Sequence, residues 1–226
     1  KFLIQTYNGM IKHDFSLALI TSIEYNNWLS NNNTFEYILT ESDIYPNCIP
    51  IGSVEFVCNY LNTYYNLQPK PKNIPIELMD YQWTNRLVIN GTEKDIVGQK
   101  FIKSNDGIKQ LTTIGDSAPI GNYQISDIID IQSEWRAFVY KGELVGLNNY
   151  LGEFDLFPDV NRIKQMIKAY KTQPISYTLD VAISDGKTVI IEVHDFFSCG
   201  LYGFSNYKIL PYMYTNWFFN YIKNGK

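Results

Sequence analysis

Within Tyr177–Tyr202 (YTLDVAISDGKTVIIEVHDFFSCGLY) two carboxylates stand where a purely structural strand would not choose them. Asp180 interrupts one apolar run and Glu192 the next, with His194 and Asp195 close behind. Carboxylate oxygens held close together suit Mg²⁺, which takes oxygen donors. Between the runs lies Ser184-Asp185-Gly186-Lys187, and Asp-Gly flanked by β-forming residues is a hairpin turn signal. A hairpin folds Asp180 and Glu192 back toward one another, roughly equidistant from the turn, so the spacing predicts a cation-binding cluster.

Cations are the second unusual feature. Arg136 sits between Trp135 and Phe138 in a run that reads as a sheet strand. A buried arginine is costly without an anion, and the candidates are Glu134, Asp130 or a ligand phosphate. Lys100 and Lys103 bracket a short apolar run, Lys109 lies in a Gly- and Thr-containing stretch (Asn105–Gly115) that reads as a flexible flap, and Arg86 precedes an apolar run. Each taken singly is equally consistent with solvated surface or an ordinary ion pair.

The elements that must position these groups follow from the pattern of the chain. Residues 2–5 read as a short buried strand, and Phe15–Ile23 and Tyr37–Leu39 as further apolar segments. Val54, Val57, Cys58 and Leu61 recur at helical spacing behind Ser53, a plausible cap, with Glu55 in the first turn. Gly52-Ser53 is either a plain capped turn or an anion-receiving helix start. Gln68–Pro75 reads as a connector, Arg86–Asn90 as a strand and Asn90-Gly91 as a turn. Val160, Ile163, Met166, Ile167 and Tyr170 form the stripe of a helix opening at Pro158-Asp159. Ser198–Tyr207 is a Gly-containing loop before an aromatic amphipathic helix over Ile209–Ile222.

Bulk properties narrow the function. The chain has 226 residues, 45% hydrophobic and 19% charged, with a net charge of −4, an ordinary globular composition without the basic footprint of a nucleic-acid binder. No apolar run reaches the ~18 residues of a membrane span, and no signal peptide is legible. Cys48, Cys58 and Cys199 lack metal-type spacing and read as reduced thiols, and two histidines are too few for a His-rich zinc site. The expectation is a cytoplasmic protein with neither nucleic-acid nor membrane partners.

Phe101-Ile-Lys103, then Ser133-Glu-Trp-Arg-Ala-Phe-Val139, then Asp180 with Glu192-Val-His194 resemble, in that order, motifs of the ATP-grasp superfamily. The run Pro50-Ile-Gly-Ser-Val-Glu-Phe56, the phrase Tyr177-Thr-Leu-Asp-Val181 and Glu192–Gly203 are similar to phrases of its small phage and bacterial R-two-K clade. The resemblance covers roughly residues 50–207. It implies an α+β ATP-grasp fold: a small α/β pre-ATP-grasp lobe (1–75), an ATP-grasp small lobe (76–122) and a C-terminal lobe with the metal site (123–226), with the nucleotide between the latter two.

The resemblance also implies roles. Lys103, Lys109 and Arg136 become phosphate clamps, with Arg86 a further phosphate- or substrate-facing group. The backbone around Ser126, Asp127 and Ile128, up to Ile129, takes the adenine, and Asp130 bonds the ribose. Asp180, Glu192, His194 and Asp195 are the metal-side residues. The clade's usual Asn two positions after the metal Glu is His194 here. Because imidazole suits Mg²⁺ poorly, this implies that Asp195 helps, that water fills the position, that Mn²⁺ is accepted, or that catalysis is impaired. The implied activity is an ATP- and Mg²⁺-dependent carboxylate–amine ligase. It would act through an acyl phosphate and release ADP and phosphate, on a carboxylate and an amine acceptor such as an amino acid or peptide. The alternative is a nucleotide-binding adaptor or sensor that has lost the reaction.

Overall fold

The structure is a computed structural model that describes residues 1–225. In chain order its elements are β1 (Phe2–Gln5), α1 (Asp14–Ser30), β2 (Tyr37–Thr40), β3 (Ile49–Ile51), α2 (Val54–Tyr65), the short α3 (Tyr81–Thr84), β4 (Val88–Thr92), β5 (Lys100–Ser104), β6 (Thr112–Gly115), β7 (Asn122–Ser126), β8 (Ser133–Tyr140), β9 (Glu143–Gly152), α4 (Val160–Ala169), β10 (Ser176–Ser184), β11 (Lys187–Asp195) and α5 (Leu210–Asn224). This is the expected α+β class. The chain forms two compact units. One comprises Lys1–Gln68, Pro174–Ser176 and Asp195–Lys226; the other comprises Pro69–Gln173 and Tyr177–His194.

The first unit is built on a three-stranded parallel sheet of order β2-β1-β3. Its strands are short, β1 and β3 are buried while β2 is largely not, and α1 packs against α5. The Ser53 hydroxyl accepts from Phe56 N–H at the start of α2, while Ser53 N–H donates to the Gln5 side chain at 2.8 Å. Gly52-Ser53 is therefore a capped turn tied to β1, since two of the donors that would hold an anion are already engaged.

The second unit holds two four-stranded sheets, of order β11-β10-β8-β9 and β4-β7-β5-β6. In the first sheet the strand period of two separates a core face from a polar one. Trp135, Ala137 and Val139 of β8 and Tyr177, Leu179 and Val181 of β10 pack with Ile163, Met166 and Ile167 of α4. Asp159 caps α4 by accepting from the N–H groups of Asn161 and Arg162. Alternation then sends Arg136 and Asp180 to the face away from α4.

In the second sheet, β5 pairs antiparallel with β6 and β7. Ile102 packs with Tyr123 and Ile125, which sends its neighbour Lys103 to the opposite face. Asn90-Gly91, expected as a turn, lies inside β4 and pairs with Gln124 and Tyr123 of β7. Here glycine serves close approach: a Cβ on Gly91 would meet the Asp95 carboxylate at 2.7 Å, and that carboxylate receives Thr92 N–H at 2.7 Å. The end of the expected flap is also a strand, β6, in register with β5. The β10–β11 hairpin turns where it was expected. Asp185 and Gly186 have φ of 50° and 68°, the double positive pattern a type I′ turn requires.

Candidate functional site

Arg136 and Asp180 lie on strands that neighbour in the sheet although 44 residues apart in sequence. The guanidinium donates from Nε to Asp180 Oδ1 at 2.8 Å and from Nη2 to Oδ2 at 2.7 Å. This is a two-pronged, charge-assisted pair, with the arginine 6% and the aspartate 1% exposed. Its partner was not among the anions the sequence suggested. Asp130, one of those anions, is exposed on the loop after β7. Glu134, the other, receives the Tyr150 hydroxyl at 2.5 Å, and the Tyr150 ring lies 5.6 Å from the Arg136 guanidinium. Burial, then the negative charge of Asp180 and the bond to Glu134, pushes the Tyr150 hydroxyl far above its ordinary range, so it remains a donor.

Across the hairpin, β11 presents Glu192 and His194 on one face, two residues apart. His194 Nε2 is 2.6 Å from Glu192 Oε1 and 3.9 Å from Asp180 Oδ2. Asp180, Glu192 and His194 each offer one donor atom, and the three atoms lie within 4.8 Å of one another. Asp195 is the next residue, so alternation turns it to the other face. It belongs to the first unit and there raises the pKa of the Tyr221 hydroxyl, which burial already pushes up. It is not one of this group of three.

The second sheet supplies cations. The Lys103 ammonium on β5 contacts the Glu192 carboxylate. Burial pulls that ammonium down to about 8, with Asp180 holding it up, Arg86 lowering it further and Glu134 also holding it up. It is charged at neutral pH, the form its carboxylate neighbour favours. Arg86, 6% exposed, donates from Nη1 to the carbonyls of Thr84 and Ile190, each at 3.1 Å. It makes no ion pair with any carboxylate among the described residues. Burial draws its pKa down to about 10, with Asp127 opposing. Lys103, Arg86 and Arg136 thus meet Asp180, Glu192 and Glu134: three cations set against three carboxylates.

The remaining predicted residues lie further along the same unit. Ser126 ends β7 and is buried; Ile128 is exposed on the loop that follows. Asp127 accepts from Lys100 Nζ at 2.6 Å and from Leu87 N–H at 3.1 Å, so its carboxylate is a brace between strands. Lys109 is exposed, with a φ of 59°, on the loop between β5 and β6. Sequence reasoning missed Tyr150; an aromatic residue on β9, among 18 tyrosines, carries no local signal.

Comparison with known proteins identifies the fold and the family. No curated protein matches the chain. Among solved structures, D-alanine–D-alanine ligase from Bacillus anthracis superposes with a TM-score of 0.54 at 11% identity, covering 100% of this chain and 98% of that one. A RimK domain ATP-grasp protein from Sphaerobacter thermophilus gives 0.54 at 10% identity, covering 98% and 99%. N5-carboxyaminoimidazole synthetase from Staphylococcus aureus gives 0.56 at 8% identity, covering 95% and 76%. The shared feature is the ATP-grasp fold. The family model for the ATP-grasp domain of the R-two-K clade, family 2, matches residues 93–211, more than half of the 226-residue chain. The chain belongs to the ATP-grasp domain family of the R-two-K clade, family 2.

Proposed function

We propose that this chain is an ATP- and divalent-cation-dependent carboxylate–amine ligase whose reacting phosphates sit against Lys103, Arg86 and Arg136. The observation that carries the reading is Arg86, a buried guanidinium with two backbone carbonyls but, among the described residues, no carboxylate for a partner. A buried charge left in that state is costly, and a polyphosphate is the anion that relieves it. Lys103, on the facing sheet, would move from Glu192 to a phosphate oxygen, which frees Glu192 for a cation. Lys109 would reach the triphosphate from its loop, and the backbone of Ser126, Asp127 and Ile128 would line the adenine, with Asp130 at the ribose.

Asp180, Glu192 and His194 fit a divalent cation: two carboxylates and an imidazole converge, and the nearby cations can transfer their pairing to phosphate. The Mg²⁺ implied by the family would supply positive charge to offset that of the phosphates when bound. The chain's own residues perform the rest. Arg136, fixed by Asp180, is a rigid donor of positive charge; Lys103 and Arg86 stabilise charge developing on the transferred phosphoryl group. In the reaction, a substrate carboxylate oxygen attacks the γ-phosphorus and ADP leaves. The amine nitrogen then attacks the acyl carbon, phosphate leaves, and the amine gives up a proton. No nucleophilic side chain is required.

The test is ADP and phosphate release from ATP by the full chain with amino-acid and peptide mixtures as carboxylate and amine donors. Glu192→Gln should abolish turnover in a folded protein. Unchanged turnover in that variant would remove the hairpin from the mechanism. ATP binding without ADP release in any mixture would instead favour a nucleotide-binding adaptor, a reading that the imidazole at position 194 makes worth separating.

A further inference from the structure

Two carboxylates and one imidazole are an unusual donor set for a hard cation. Donors held about 2.1 Å from one octahedral ion lie about 3 Å apart when adjacent and about 4.2 Å apart when opposite. His194 Nε2 stands 2.6 Å from Glu192 Oε1 and 3.9 Å from Asp180 Oδ2, so shifts of roughly an ångström or less would bring all three around one ion. The ring nitrogen nearest the carboxylates points at the same space as they do. At 40% exposure His194 is the outermost of the three and the one nearest solvent.

Mg²⁺ prefers an all-oxygen octahedron and dehydrates reluctantly. Imidazole suits the first-row transition ions, while carboxylate and phosphate oxygens suit Mg²⁺, Ca²⁺ and Mn²⁺. Mn²⁺ is the ion common to both preferences: it accepts the two carboxylates and gains from the nitrogen. Zn²⁺ favours four-coordinate sites rich in nitrogen and sulfur, and the group of three includes no thiolate.

We propose that His194 is a specificity-determining ligand that tunes this site toward Mn²⁺ over Mg²⁺. The proposal rests on the reading of Asp180 and Glu192 as cation ligands, but not on which reaction follows. The probe is Mn²⁺ itself. Titration of the full chain with Mn²⁺, followed by electron paramagnetic resonance, measures the bound fraction, and Mg²⁺ competition gives the preference. Pulsed measurement on the bound ion then reads coupling to a directly ligating ¹⁴N nucleus. Wild-type protein should show that coupling, and ¹⁵N-histidine labelling should shift it. With only His13 and His194 in the chain, the signal should persist in His13→Gln and vanish in His194→Asn. The preference for Mn²⁺ over Mg²⁺ should fall on the order of tenfold in His194→Asn.

Bound Mn²⁺ without nitrogen coupling in the wild type, a result that needs no variant to fold, would overturn the proposal. So would an identical Mn²⁺/Mg²⁺ preference in wild type and a folded His194→Asn. Nitrogen coupling in a protein that releases no ADP would support the ligand assignment and remove the ligase reading. Turnover with Mg²⁺, accompanied by Mn²⁺ binding without nitrogen coupling, would do the reverse.

Discussion

Removing Asp180 should destabilise the protein far more than removing both members of its pair. Asp180 is 1% exposed and Arg136 6%, and each satisfies the other through two short hydrogen bonds. Asp180→Leu leaves a guanidinium buried without its anion, which costs about 3–5 kcal/mol. That is a large share of the ~5–15 kcal/mol by which a folded domain is stable. Replacing both partners, Arg136→Met with Asp180→Leu, removes the charge along with its partner. The cost should then fall to about 1 kcal/mol or below, because a buried pair is offset by its own desolvation.

Urea unfolding followed by Trp fluorescence is the assay, since Trp135 adjoins Arg136 on β8. With a slope of about 2 kcal/mol/M, the single variant should shift the midpoint by roughly 1.5–2.5 M, and the double variant should recover most of it. Additive losses, or a single-variant cost under about 1 kcal/mol, would refute the claim that the two groups exist as a buried pair. The same magnitude explains why Glu192, partly exposed and outside this pair, is the cleaner position for testing catalysis.

Lys103→Ala should weaken ATP binding by about 1.5–3 kcal/mol, roughly ten- to hundredfold in Kd; wild-type affinity by calorimetry would exclude its phosphate role. Lys100 holds the Asp127 carboxylate below its ordinary range, a hold strengthened by Leu87 N–H and opposed by slight burial. A depressed folded pKa stabilises above the unfolded value, about 3.9, and the contribution is lost as pH falls through the folded value. Asp127→Asn should therefore cost at most about 1 kcal/mol at pH 7, discounted for its 43% exposure, and the difference from wild type should shrink in unfolding curves taken below about pH 4.

Much of the site was legible because its signals are local. The Asp-Gly turn folds the two acidic strands back on one another, but strict alternation from it would set Asp180 opposite Ile191. Ile190 and Val193 both enter one core, so an irregularity in β11 is what lets Glu192 and His194 join Asp180. The core stripe of α4 and the Ser53 cap follow from spacing alone. What stayed hidden depends on which strands become neighbours. Arg136 was expected to seek Glu134, Asp130 or phosphate, whereas its partner is Asp180, reached only because β8 lies beside β10 with β9 and α4 intervening in sequence. Lys103 on Glu192 and Tyr150 on Glu134 are likewise long-range meetings. Asn90-Gly91 misled for the opposite reason: a strong local turn signal yielded to strand pairing with β7, the glycine being needed for the Asp95 carboxylate. Asp195 illustrates a finer limit, since one residue of strand register decides which face a ligand reaches.

The most direct test of the nucleotide site is a crystal structure of the full chain with a non-hydrolysable ATP analogue and Mn²⁺. The account predicts phosphate oxygens on Lys103 and Arg86, with Lys103 drawn away from Glu192. It also predicts anomalous density for one ion between Asp180, Glu192 and His194. Phosphates bound elsewhere, with Lys103 still on Glu192 and Arg86 still without an anion, would contradict it.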